Sequence, residues 1–233
     1  MAEEALQGTL YIVSTPIGNL EDISFRAMRI LSTVDLIAAE DTRTTGVLLH
    51  HYHFQKPLVS FFSYNEARRT PQLIGKLKSG LSIAVVTDAG TPGISDPAFR
   101  IIRAALDEAI PVVAIPGPSA FLPALTVSGL PVDRFAFEGF LPVKKGRKTK
   151  LERLRGEQQT IVLYESPHRL LRTLEDLQTN LGDREIVVAR ELTKKFEEVV
   201  RGTIAEVRAH FSTQPIRGEF VVVVAGCSFK KNS

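Results

Sequence analysis

From residue 9 almost to its end, the chain alternates short apolar, β-branched runs with amphipathic stretches of helical period. Strands that pair in parallel need a crossover between them, usually a helix, so this alternation restricts the chain to the α/β class with mostly parallel sheets. Strands are predicted over residues 9–14, 36–40, 58–62, 82–87 and 111–115, and helices over 24–34, 44–51, 65–77, 97–109 and 118–128. In the first helix Ala27, Met28, Leu31 and Val34 share one face. Before the fourth, Asp96 suits the N-cap and Pro97 the first helical position, where its missing N–H has no helical partner to lose.

The second half repeats the pattern, with strands predicted over 135–138, 160–164, 185–190, 198–202 and 220–225. Leu170, Leu171, Leu174 and Leu177 give the helix before Gly182 a stripe that faces a core. At 233 residues the chain exceeds the usual domain of ~100–150 residues. Two α/β domains are therefore expected, over residues 8–130 and 131–227, with 228–233 as a tail. Each should hold a mixed, mostly parallel sheet of about five strands flanked by helices.

Composition excludes several classes. The single cysteine, Cys227, provides neither an internal disulfide nor a cysteine-based zinc site, and the N-terminus lacks the basic start and apolar run of a signal peptide. A cytoplasmic protein is expected. The uncharged stretch 109–132 is long enough to cross a bilayer, but Pro111, Pro116, Pro118, Pro123 and Pro131 would break a membrane helix, so no membrane span is expected. Twenty-nine Lys and Arg against 26 Asp and Glu give a net +3, too little to mark a nucleic-acid binder. The positive charge is nevertheless concentrated: Lys144, Lys145, Arg147, Lys148, Lys150, Arg153 and Arg155 crowd residues 143–155 against Glu152 alone.

The segment 85–97 runs from a buried strand through Thr87-Asp88-Ala89-Gly90-Thr91-Pro92-Gly93 towards a helix, and ligands of open α/β sheets bind at such carboxyl ends. Gly90 and Gly93 let backbone approach a ligand, and Asp88 suits a hydroxyl or a cation; a tight crossover loop is the plainer alternative. Pro116-Gly117-Pro118-Ser119-Ala120 opens the next helix, whose free N–H groups suit an anion, and Ser14-Thr15-Pro16-Ile17-Gly18-Asn19 is a third strand-end loop. Neither the dinucleotide fingerprint nor the P-loop occurs, and neither does a serine-hydrolase elbow nor a zinc-protease motif. His50, His51 and His53 are neighbours at a helix end and are read as solvated, so no metal is assigned.

These three loops occur in order with Ala38-Ala39-Glu40-Asp41-Thr42-Arg43, Tyr64-Asn65-Glu66, Phe137-Glu138-Gly139-Phe140-Leu141-Pro142, Tyr164-Glu165-Ser166-Pro167-His168-Arg169 and Ala189-Arg190-Glu191-Leu192. Together they resemble the tetrapyrrole methylase superfamily over residues 8–226, and more narrowly its ribosomal RNA branch. Tetrapyrrole-type members open with a glycine-rich first loop, whereas residues 15–19 carry only Gly18, which favours the RNA branch; relatives of that branch often continue into a helical domain beyond the equivalent of Cys227.

The resemblance implies a homodimer and S-adenosylmethionine bound in a cleft between two α/β domains. It implies transfer of the methyl group to the ribose 2′-hydroxyl of a cytidine in the decoding region of 16S rRNA, within the small ribosomal subunit. Carried over by position, the cofactor residues are Pro16, Ile17, Gly18, Asp88, Ala89, Gly90, Ile94, Ser119, Ala120 and Tyr164.

In-line methyl transfer needs alignment of the acceptor oxygen and removal of its proton, for which a carboxylate or histidine is the expected base. By resemblance the polar candidates are Glu40, Asp41, Arg43, Asn65, Glu66, Glu165, His168, Arg169, Arg190 and Glu191, narrowed to Glu66, Asn65 and Arg43. A structural role competes for each: Glu40, Asp41 and Arg43 would make a capping and ion-pair network, and Arg190 would pair with Glu165 or Glu191. Lys144, Lys145, Arg147, Lys148 and Arg169 are expected on RNA phosphates, a solvated connector being the plainer alternative. Phe121, Leu122, Leu125 and Val127 exceed the apolar needs of one helix face, which also points to a dimer. Methylation of a small molecule such as a tetrapyrrole, or a non-catalytic ribosome-binding role on the same scaffold, remain the alternatives.

Overall fold

The computed structural model describes residues 8–230. The chain divides into two compact units, the first ending at Ser119 and the second beginning at Ala120.

The first unit contains β1 (Leu10–Val13), α1 (Phe25–Thr33), β2 (Leu36–Ala39), α2 (Thr42–His51), β3 (Leu58–Ser60), α3 (Glu66–Lys78), β4 (Ile83–Val86), α4 (Phe99–Asp107) and β5 (Val112–Ile115). Its sheet has the order β3-β2-β4-β1-β5, and every pair is parallel. A parallel sheet is buried on both faces, which is why β4 reads as an unbroken apolar run and is buried at each position. On one face Leu10, Ile12, Ile83 and Val85 pack with Leu73, Leu77, Ile101 and Ala105 of α3 and α4. On the other, Val13, Ile37, Ala84 and Val86 pack with Ala27, Leu31 and Leu49 of α1 and α2. All five strand ends therefore open at the same edge.

The second unit contains α5 (Phe121–Thr126), β6 (Phe135–Phe140), α6 (Arg147–Arg155), β7 (Thr160–Glu165), α7 (Leu170–Leu181), β8 (Glu185–Arg190), β9 (Glu198–Thr203), α8 (Ile204–Ser212) and β10 (Phe220–Val224). Its five strands lie in the order β6-β7-β10-β8-β9. Here the directions differ from the mostly parallel expectation: only β6 and β7 are parallel, and the other three pairs are antiparallel. The loop between β8 and β9 is too short for a crossover helix, so the chain turns back on itself, and β10 inserts antiparallel to both neighbours. The leucine stripe of α7 packs as expected, with Leu170, Leu174 and Leu177 fully buried against Leu163, Phe211 and Val222.

Local boundaries also shift. The helix expected over 118–128 spans only Phe121–Thr126. It groups with the second unit, where the Phe121 ring lies 6.0 Å from Phe135 and 4.8 Å from Phe137, so the division falls before the Pro131 expected from sequence. The predicted cap at Asp96 and Pro97 is not formed: α4 begins at Phe99 after Ala98, without a side-chain cap. Residues 147–155 form a helix rather than a connector. No helix among the described residues is long and apolar enough to cross a membrane.

Candidate functional site

The loops after β1, β4 and β5 are laced into one assembly in the first unit. Thr15 and Gly90 exchange two backbone hydrogen bonds of 2.9 and 3.0 Å, and the Thr15 hydroxyl donates to the Thr87 carbonyl at 3.0 Å. The Ser14 hydroxyl lies 2.8 Å from Thr91 Oγ1, which itself donates to the Pro118 carbonyl at 3.1 Å. The lacing constrains two glycines, Gly90 by its backbone conformation and Gly117 by lack of space. Gly90 holds φ +85°, a left-handed conformation that side chains resist, and a Cβ on Gly117 would stand 2.9 Å from Ser14 Cβ.

Of the residues carried over for the cofactor, Pro16, Ile17 and Gly90 are buried here, Ser119 is half-buried, and Gly18, Asp88, Ala89 and Ile94 are exposed. Ala120 stands just before α5, whose six residues are too few to give its N-terminus the dipole that the sequence suggested for an anion. Tyr164 belongs to the second unit, half-buried on β7, with its ring 5.2 Å from Phe137 and 5.7 Å from Phe140.

Carboxylates gather at the ends of β2 and β4. Glu40 Oε2 accepts from the Thr87 hydroxyl at 2.5 Å and the Asp88 N–H at 3.2 Å, while Asp88 Oδ1 accepts from the Asp41 N–H at 3.1 Å. Burial, then the charge of Glu40, raises the Asp88 carboxyl above its ordinary value. Asp96 is raised chiefly by burial, with Glu40 and Asp88 contributing and the Thr87 hydroxyl opposing. The Asp96 side chain thus meets the Thr87 hydroxyl beside the strand-end carboxylates and does not cap α4. Nothing in the helical periodicity marks that role.

Glu66, Asn65 and Arg43 share no hydrogen bond. The Asn65 side chain closes the turn after β3, accepting from the Phe62 N–H at 2.9 Å and donating to the Ser60 carbonyl at 3.1 Å. Glu66 Oε1 accepts from the Arg100 N–H at 3.3 Å, tying the start of α3 to that of α4. Arg43 is exposed and grips Asp41, with Nη2 2.6 Å from Oδ2 and Nε 3.1 Å from Oδ1. That contact, led by the side-chain hydrogen bond, pulls the Asp41 carboxyl down to about 2. Asp41 also caps α2 by accepting from the Arg43 N–H at 2.8 Å. The capping and ion-pair network foreseen for Glu40, Asp41 and Arg43 is thus present for Asp41 and Arg43, while Glu40 instead bonds Thr87 and Asp88.

In the second unit the cationic segment separates into two kinds of side chain. Lys144, Lys145 and Lys148 are exposed. Arg147 is buried, which corrects its grouping with them: Nε meets Asp176 Oδ2 at 2.7 Å, Nη1 the Pro142 carbonyl at 3.1 Å and Nη2 the Thr173 hydroxyl at 2.9 Å. Thr173 in turn donates to Glu165 Oε2 at 2.6 Å. Arg169 is largely covered, donating to the Leu141 carbonyl at 2.5 Å with Nε 3.5 Å from Glu165. Lys150 and Arg153 both pair with Glu138. His168 is exposed, and Arg190 pairs with Glu198 at 3.5 Å rather than with Glu165 or Glu191. No group of three or more His, Cys, Asp or Glu among the described residues is arranged to hold a metal ion.

The sequence profile described as Tetrapyrrole (Corrin/Porphyrin) Methylases matches residues 9–208. The chain belongs to the tetrapyrrole methylase family. Within the family it is 52% identical over 223 residues to a Synechocystis sp. protein named Ribosomal RNA small subunit methyltransferase I, covering 95% of this chain and 80% of that one. It is 48% identical over 219 residues to the Thermotoga maritima protein of the same name, covering 94% and 99% respectively. The fold is that of solved tetrapyrrole methylases: uroporphyrin-III C-methyltransferase from Thermus thermophilus, complexed with S-adenosylhomocysteine, aligns with a TM-score of 0.66 at 18% identity over 94% of this chain and 98% of that one. Its first-loop departure, the single glycine at Gly18, is accompanied in this tetrapyrrole methylase by buried Pro16 and Ile17 beneath the Gly90 turn.

Proposed function

We propose that the protein is an S-adenosylmethionine-dependent methyltransferase acting on ribosomal RNA of the small subunit, and that the acceptor is the 2′-hydroxyl of a cytidine in the decoding region of 16S rRNA. The observation that carries this reading is the near-full-length identity of about half with proteins named Ribosomal RNA small subunit methyltransferase I, within a methylase family. The cofactor is supported by that membership and by the S-adenosylhomocysteine in the Thermus thermophilus relative. It is also supported by the laced loops, which gather three strand ends at the edge where ligands of open α/β sheets bind.

When bound, S-adenosylmethionine supplies an electrophilic methyl on a sulfonium. In this proposal Pro16, Ile17, Gly18, Asp88, Ala89, Gly90, Ile94, Ser119 and Ala120 hold it, and Tyr164 is assigned to the same ligand on the resemblance. Glu66 is the proposed proton acceptor, Arg43 the proposed contact to the RNA backbone, and Asn65 positions Glu66 through the turn it closes. Asp88, raised in its pKa, suits a hydrogen bond to a hydroxyl of the cofactor. Lys144, Lys145 and Lys148 are proposed to meet phosphates.

The proposal includes a cytoplasmic homodimer. Of the apolar residues that suggested one, Phe121 and Leu125 are covered within the second unit, while Leu122 and Val127 stay exposed at 47% and 45%. Light scattering at micromolar concentration tests the oligomer, and a monomer removes it. The deciding experiment for activity incubates the protein with radiolabelled S-adenosylmethionine and small subunits from cells lacking the endogenous enzyme, followed by nuclease mapping. Label on a cytidine ribose is expected. Label on a base, on another nucleotide, or only on added tetrapyrrole overturns the assignment.

A further inference from the structure

Three aromatic side chains at the strand-end edge of the first unit are left almost bare: Phe25, 91% exposed at the start of α1 on one face of the sheet, and two that share the other face. Tyr64, in the turn between β3 and α3, is 95% exposed, and Phe99, the first residue of α4, is 79% exposed. Rings of this size are costly to leave in water, and a free surface that collects them marks a contact. Their helices are neighbours, because α3 and α4 pack on the same face of the sheet and Glu66 of α3 accepts from the Arg100 N–H of α4 at 3.3 Å.

Positive charge accompanies the rings. Arg68 and Arg100 lie in the first turns of α3 and α4, and both are exposed. Neither guanidinium has an ion-pair or hydrogen-bond partner among the described residues, unlike Arg103, which is held by Asp107 at 2.5 Å. A cation in the first turn opposes the helix dipole, so this arrangement spends stability without any internal return.

We infer that Tyr64, Phe99, Arg68 and Arg100 form a docking surface for unpaired nucleotides of the RNA substrate, the rings stacking on bases and the guanidiniums meeting phosphates. This rests on the ribosomal RNA reading above and adds a contact on the first unit that is separate from the lysines of residues 144–148. Exposed rings beside free arginines match single-stranded RNA, whose bases offer π-faces and whose backbone offers one negative charge per nucleotide. Charge favours RNA over a second copy of this chain, because two such faces would bring their unpaired guanidiniums together.

The test uses the whole protein and a fluorescently labelled, unstructured oligouridylate as probe, with affinity measured at several salt concentrations. Tyr64→Ala and Phe99→Ala should each weaken binding about tenfold without changing the salt dependence, since stacking is not a charge interaction. Arg68→Gln with Arg100→Gln should reduce the slope of log affinity against log salt by about 0.7 for each guanidinium. S-adenosylmethionine affinity, measured in parallel, should not change in any variant. RNA affinity equal to wild type in the ring variants overturns the inference. So does a shift in oligomeric state in light scattering, which would assign the face to self-association. If the wild-type protein itself binds no RNA, both this inference and the substrate reading beneath it fall; if wild type binds and the variants do not differ, only this inference falls.

Discussion

Replacing Arg147 with methionine separates a structural cation from the neighbours proposed to face RNA. Its side chain is only 7% exposed and satisfies three acceptors: Asp176, the Pro142 carbonyl and the Thr173 hydroxyl. Removing one partner of a buried ion pair costs about 3–5 kcal/mol, because the other charge is left without compensation. The Asp176 side chain is 30% exposed and keeps Arg172 Nε at 4.0 Å, so water and that cation recover part of the loss, and Glu165 keeps its bond from Thr173 at 2.6 Å. Methionine also restores most of the buried apolar stem. The expected loss is therefore near the lower bound, about 3 kcal/mol, or a Tm decrease of about 6–12 °C for a chain of this size.

The control is Lys148→Met on the next residue, whose side chain is 88% exposed and lies 3.8 Å from Glu152. An exposed pair of this kind contributes between zero and about 1 kcal/mol, so the control should be almost silent in stability. The chain has no tryptophan, so unfolding by urea and by heat is followed by circular dichroism. In RNA titrations the order should reverse, with Lys148→Met lowering the salt slope and Arg147→Met leaving it intact. A loss below about 1 kcal/mol for Arg147→Met, or a flattened salt slope in that variant, refutes the buried assignment.

Replacing Lys144, Lys145 and Lys148 together by serine should weaken RNA binding and flatten its salt dependence while S-adenosylmethionine affinity stays constant; an unaltered slope with unaltered methylation removes these lysines from the interface. Asp41 should titrate near 2 in carboxyl-detected NMR and return towards its ordinary 3.8 in Arg43→Ala. Its folded value is depressed, so its contribution to stability is present above 3.8 and is lost as pH falls towards 2; an unmoved Asp41 in the variant would show that Arg43 is not the cause. For Asp88 the sign is opposite: its folded value is raised, so stability present below the ordinary carboxylate range is lost as pH rises through the raised value. Asp88→Asn keeps an acceptor for the Asp41 N–H and removes the charge, so it should be more stable than wild type at neutral pH, with the advantage fading in acid; urea midpoints that differ equally at both pH values refute this. Gly117→Ala should lower S-adenosylmethionine affinity by pushing the β5 end away from Ser14, as calorimetry would record, and wild-type affinity in a folded variant would show that this close approach does not shape the site.

Local sequence sufficed for the elements whose side chains meet one another through simple periodicity. The leucines of α7, the continuous apolar run of β4 and the alternation of strand with helix all reappear in place, because burial follows spacing along a single element. The strand-end loops were legible for the same reason, since glycine and proline punctuate the chain where backbone must turn or approach closely, as at Gly90 and Gly117. Spacing is silent about which distant groups meet, and there only the tertiary structure decided. Asp96 has the residue type and position of a helix cap, but its side chain meets the Thr87 hydroxyl at the end of β4 instead, a contact that no helical pattern encodes. Arg147 looks in sequence like each of its neighbouring cations, yet Asp176 and Thr173 on α7 draw it into the interior. The second sheet became mostly antiparallel because strand direction depends on how β10 inserts between β7 and β8, and pairing partners far apart in the chain leave no periodic trace.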